Sequence, residues 1–155
     1  MIELMIAGIV MVVGFLGMMI LITVAIGTNN RNKLDTNATL AAQLVLEEVK
    51  SDYANGTAVP LTDCAGNTWT IGSSAGGATV SGAMIDWSAT PVSNYNMNYT
   101  VCTANGTQST YEVRWNVQTV TSHVVLVTVG SRPKGASSDL KLFALPVTLR
   151  GYAGQ

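Results

Sequence analysis

Between Leu4 and Asn30 the chain carries no charged residue, and Glu3 is the only charge in the first thirty positions. A mostly apolar run of more than 18 residues is long enough to cross the hydrocarbon core of a bilayer as a helix. Positions 2–54 contain no proline, so the pattern predicts one long helix. Its first half is apolar on every face, as expected of a segment surrounded by lipid or by other helices. Glu3 sits at the edge of that segment. Two readings are open: a carboxylate solvated in the headgroup layer, or a functional group that needs a counter-charge.

Gly8, Gly14 and Gly17 interrupt the apolar run. Small residues let membrane helices approach closely. They also weaken a helix, each by about 1 kcal/mol relative to alanine in water. Close helix packing is one reading, and a segment able to unwind during assembly is the other.

Beyond Gly27 the pattern changes. Leu34, Ala38, Ala41, Val45 and Val49 recur at helical spacing, with Ala42 and Leu46 beside them. Such a stripe can pack on a domain while Asn37, Gln43, Glu47 and Lys50 face water. Asn55-Gly56 followed by Pro60 ends the helix. The expected organisation is 1–30 as the membrane half of the helix, 31–54 as its amphipathic half, and 55–155 as a β-rich globular domain.

The rest of the chain is rich in Thr, Ser, Asn, Gly and Val, a mix suited to short strands and turns. Gly76-Gly77 and Asn105-Gly106 read as tight turns. Strands are predicted at 68–71, 83–87, 98–103, 111–120, 123–129 and 142–149. The run 111–120 alternates most clearly. Tyr111, Val113, Trp115 and Val117 share one face, which reads as buried. Glu112, Arg114, Asn116 and Gln118 share the other, which reads as wet. The segment 131–139, with Pro133 and Gly135, reads as an exposed loop.

Charged residues make up only 11% of the chain and the net charge is −1. Nucleic acid is therefore not expected as a partner. Arg132, Lys134, Lys141 and Arg150 read as a solvated surface rather than a DNA stripe. Cys64 and Cys102 are the two cysteines. An even count in an exported domain points to one disulfide, with two buried free thiols as the alternative. Two cysteines and one histidine, without a CxxC pair, do not supply a four-ligand zinc site. His123 has no nucleophile or carboxylate constellation arguable around it. Trp69, Trp87 and Trp115 suit a core or half-core better than a sugar-binding surface. No cofactor, metal or catalytic residue is expected, and the chain does not read as an enzyme.

The opening Met1-Ile2-Glu3-Leu4-Met5-Ile6 resembles the mature start of type IV pilins and type II secretion pseudopilins, in which a short apolar segment, a glutamate and a long apolar helix follow one another. Gly14-Phe15-Leu16-Gly17 and the run 41–48 resemble minor pilins of the type IV pilus modification protein V group. So does 111–117 with the Val-rich strand after it. The resemblance implies an α+β, pilin-like fold: one long N-terminal helix packed on a small antiparallel sheet. It implies a structural subunit held in the bacterial inner membrane before assembly, with its globular domain on the periplasmic side, and at the cell surface afterwards. Glu3 would pair with the N-terminal amine of a neighbouring subunit, the role for which Met1 is the candidate. Implied partners are other pilins or pseudopilins, an inner-membrane assembly platform, membrane lipid, and a prepilin peptidase acting on a longer precursor. In the family four residues precede the glutamate, against two here, so either a start further upstream with a basic leader is expected or the chain departs from the family at this point. That leader would also reconcile orientation with Arg31 and Lys33, which alone would place the domain in the cytoplasm. A pseudopilin, or a membrane-anchored β domain binding a surface ligand, is the alternative.

Overall fold

The computed structural model describes residues 2–55, 60–103, 106, 108–134 and 145–154. The chain divides into two compact units, Met1–Lys33 and Leu34–Gln155. One helix, α1, Ile2–Asn55, contributes to both. It runs for 54 residues without a proline to interrupt its hydrogen-bond ladder.

In the first unit every described residue is exposed. Two of its threonines are accommodated locally. Thr23 and Thr28 donate their hydroxyls to the carbonyls of Met19 and Val24, each at 2.9 Å. Such back-bonding satisfies a hydroxyl inside an apolar helix.

In the second unit the rest of α1 lies on an antiparallel sheet. Ala38, Ala41, Ala42, Val45 and Val49 are fully buried, and Leu46 nearly so. They form one core with Tyr111, Val113, Trp115, Val117, Val125, Val127, Val129 and Ala153. The three alanines let the helix backbone come close to the sheet, and the valines fill the space between. Complete burial of each such valine contributes about 1.5–2 kcal/mol. The amphipathic stripe expected at 34–49 is thus the face that packs.

The strands are β1 Leu61–Thr62, β2 Thr68–Trp69, β3 Gly76–Gly77, β4 Val80–Ser81, β5 Met84–Ile85, β6 Asn96–Cys102, β7 Gln108–Thr121, β8 Val124–Pro133 and β9 Val147–Gly154. The main sheet has five strands in the order β3-β7-β8-β9, with β6 also on β7. One edge of β7 is shared: β6 covers its first half and β3 its second. β1–β2 and β4–β5 are separate two-stranded hairpins. All pairings are antiparallel.

The structure corrects several expectations. Gly76-Gly77 is not a tight turn but the short strand β3, paired with Asn116 and Val117. Gly77 has φ +108° and so close an approach to the Trp115 carbonyl and the Tyr95 ring that no Cβ would fit. The segment beginning at 131 is not loop at first: 131–133 complete β8, and Ser131 is fully buried. β9 continues to Gly154, past the expected end at 149, because Gly151 and Ala153 still pair with Val127 and Val125. The strand expected at 83–87 is shorter, and Asn105 and 142–144 lie outside the described residues.

The largest departure concerns the second face of β7. Arg114 is 5% exposed and Glu112 and Asn116 are half-buried. Only Gln118 is open to water as expected. The β4–β5 hairpin and the residues after it lay Ile85 and Trp87 over this face at Gly130. The sheet is therefore covered on both sides there.

Candidate assembly site

Glu3 lies in the first turn of α1, where a carboxylate is favoured by the helix dipole. Among the described residues none forms an ion pair with it. Met1, its expected counterpart from a neighbouring copy, lies outside the described residues. The apolar side chains that follow are open, from Leu4 at 82% exposure to Ile26 at 58%. Among the described residues α1 is the one helix long and apolar enough to cross a membrane, and none of its apolar stretch is buried. It is compatible with a single-pass anchor.

The three glycines do not share one face. At 3.6 residues per turn, Gly14 lies about 20° and Gly17 about 40° around the helix from Glu3, whereas Gly8 lies about 140° away. Glu3, Ala7, Val10, Gly14, Gly17 and Leu21 thus recur at alternating spacings of four and three, the period of a helix–helix seam. Gly8 belongs to the other side, where it lines a shallow apolar groove with Met11, Val12, Phe15, Leu16 and Met19. A Cβ added at Gly8, Gly14 or Gly17 would meet nothing within 4 Å. Among the described residues no contact requires glycine at these positions, although each weakens the helix.

Cys64 and Cys102 form a disulfide, with Cα atoms 5.9 Å apart. It ties the loop after β1 to the end of β6. Beside it Asp63, 6% exposed, accepts four hydrogen bonds. Its Oδ1 takes the backbone N–H groups of Ala65 at 3.0 Å and Asn67 at 2.8 Å. Its Oδ2 takes Asn67 Nδ2 and the Thr100 N–H, both at 3.0 Å. Burial alone would raise the Asp63 carboxyl, but the bonds from Asn67 and Thr100 outweigh it and hold it below its ordinary value.

The buried Arg114 belongs to a cluster that alternation in the sequence does not reveal. Glu112 bridges two arginines. Its Oε1 receives Arg114 Nε at 2.8 Å and Nη2 at 2.5 Å; its Oε2 receives Arg132 Nε at 2.8 Å and Nη2 at 2.6 Å. Arg114 Nη1 also donates to the Ala89 carbonyl at 2.7 Å. Trp87 covers both guanidinium groups, with centroid distances of 5.2 Å to Arg114 and 4.5 Å to Arg132. Burial pushes the Glu112 carboxyl up, but the two arginines more than reverse this and keep it below its ordinary value. The available signal was Gly130 inside a valine-rich strand, since such a glycine marks a close approach by another segment.

Lys134 donates to Asn98 at 3.0 Å, and Arg150 is exposed. His123 is exposed between β7 and β8. Among the described residues no group of three or more His, Cys, Asp or Glu could hold a metal ion. The arrangement offers an exposed apolar helix with one carboxylate at its start and a separately braced globular unit. Comparisons with protein-family models, curated proteins and solved structures returned no match.

Proposed function

We propose that this chain is a pilin-like structural subunit, in the manner of the minor pilins, that joins a type IV pilus through α1. The observation that carries this reading is the pairing of a carboxylate that has no ion-pair partner among the described residues with glycines that serve no contact among them. Glu3, Gly14 and Gly17 lie on one face of an exposed apolar helix. In an apolar surrounding a lone carboxylate is costly, and an ammonium group from an adjacent subunit offsets that cost. Glycines on the same face let the two helices approach closely enough for the pair to form.

Before assembly the subunit is held in the bacterial inner membrane by 1–30. Its disulfide-bearing unit lies on the periplasmic side, where such bonds persist. Its role is structural rather than enzymatic, and its partners are neighbouring pilins and the assembly platform.

Replacement of Glu3 tests the reading. Glu3→Ala should leave the protein membrane-bound and its disulfide formed, yet reduce its recovery in sheared surface filaments at least tenfold. Recovery at the unaltered level would overturn the proposal and favour an anchored ligand-binding domain, which has no need of Glu3.

A further inference from the structure

The loop that carries Cys64 is fixed by more than its disulfide. Asp63 donates its N–H to the Asn67 carbonyl at 2.9 Å, and Gly66 donates back to the Asp63 carbonyl at 3.1 Å. With Ala65 and Asn67 bonded to Asp63 Oδ1, residues 63–67 form a closed turn. Asp63 Oδ2 then reaches the Thr100 N–H on β6, two positions before Cys102. The carboxylate and the disulfide therefore join the same two segments, one residue apart on the loop and two apart on the strand.

We propose that Asp63 is a positioning residue for the Cys64–Cys102 disulfide: its carboxylate docks the turn on β6 before oxidation and presents the two thiols to each other. Both cysteines are exposed, so a soluble oxidant can reach them. In the closing step one thiolate attacks a low-molecular-weight disulfide such as oxidised glutathione and expels one glutathione thiolate. The second cysteine thiolate then attacks the mixed disulfide, forms the Cys64–Cys102 bond and expels the other. Two cysteine thiols lose two protons and two electrons, and one glutathione disulfide gains them as two thiols. Whatever holds the second thiol near the mixed disulfide raises its effective concentration; three hydrogen bonds to the Asp63 carboxylate shape the turn and the fourth, from the Thr100 N–H, ties it to β6.

Asp63→Asn is nearly isosteric but replaces one carboxylate oxygen with an N–H₂ group. One side of the turn then sets donors against donors, whether the amide faces Thr100 and Asn67 Nδ2 or the two loop amides.

The test uses the full chain in detergent micelles, equilibrated with reduced and oxidised glutathione at pH 7. The oxidised fraction gives the effective concentration of one cysteine toward the other. Asp63→Asn should lower it by about 10- to 100-fold, whereas Asp86→Asn, remote from the disulfide, should leave it unchanged. An Asp63→Asn value within twofold of the parent would overturn the proposal. Should that variant not fold, hydrogen exchange on Cys64→Ser/Cys102→Ser decides instead. With Asp63 present, the Asn67 and Thr100 amides should stay protected without the covalent bond. Loss of their protection while the β7–β8 amides remain protected would overturn it.

Discussion

Ile85 rests directly on Gly130: a Cβ built on that glycine would lie 2.8 Å from Ile85 Cγ1 and 3.0 Å from Trp87 Cζ2. The absence of a side chain in the middle of β8 is what lets the β4–β5 hairpin close over the outer face of the sheet. Gly130→Val should destabilise the fold by about 1–3 kcal/mol through overpacking, despite valine's better strand propensity. A denaturant midpoint unchanged from the parent would mean that the hairpin is not seated there.

The segment that follows the hairpin covers Arg114, with Trp87 over its guanidinium and Ala89 accepting from it, and Glu112 lies between Arg114 and Arg132. Removing the carboxylate leaves one buried and one half-exposed guanidinium without their counter-charge. Glu112→Gln should therefore cost about 2–4 kcal/mol at neutral pH, less than a fully buried pair because Arg132 is partly solvated. Indole fluorescence should report the loss, since Trp87 stacks on both arginines.

The same carboxylate sets a pH dependence. Its pKa in the folded chain lies below the ordinary 4.5. Glu112 therefore contributes fully above that value, and its contribution is lost as pH falls through the folded-state pKa. Asp63, also lowered, acts in the same direction. The stability these two carboxylates supply should be flat near neutrality and fall below about pH 4.5. The acid slope should be shallower in Glu112→Gln, as measured by urea midpoints across pH 2–7. A slope identical to the parent's would exclude Glu112 as a source of it.

The Cys64–Cys102 bond closes a loop with a sequence separation of 38. By chain entropy its removal in Cys64→Ser/Cys102→Ser should cost about 3–4 kcal/mol. The comparison with reduced parent protein is informative. Equal midpoints would assign the loss to the covalent link, and a larger loss in the variant would assign part of it to the substitutions.

Features decided by neighbours along the chain were legible in the sequence. The proline-free apolar run marked α1, the period of 34–49 marked its packed stripe, and the alternation of Tyr111, Val113, Trp115 and Val117 marked the core face of β7. Cysteine parity pointed to the disulfide. Features decided by distant segments were not. Arg114 alternates with core residues and so reads as wet, yet it is buried, with Trp87 over it and its Nη1 bonded to the Ala89 carbonyl in the segment that follows β5. Gly76-Gly77 carries a turn composition, yet it pairs with β7 because a residue without a side chain at Gly77 lets the backbone pass close to Tyr95 and the Trp115 carbonyl. Glu3 stands out in the sequence as a charge beside an apolar run, and the structure shows its place in the first turn of α1. The division of the glycines between two faces emerged only once the helix was continuous.

That division makes a directional prediction for assembly. Gly14 and Gly17 lie on the Glu3 side, and Gly8 lies in the groove opposite with Met11 and Phe15. If a neighbouring helix docks against the Glu3 face, bulk at Gly14 or Gly17 should hold the two helices apart and keep Glu3 from its ammonium partner. Gly14→Leu and Gly17→Leu should each lower filament incorporation at least tenfold. Gly8→Leu should have a smaller effect, because it adds apolar bulk to a groove already lined by large side chains. None of the three should harm the helix itself, since leucine exceeds glycine in helix propensity by up to about 1 kcal/mol. A defect therefore cannot be assigned to unfolding of α1. Sheared-filament recovery beside membrane abundance separates the cases. Equal loss in all three variants would point to general helix crowding, and a defect confined to Gly8→Leu would place the docking face on the opposite side from the carboxylate.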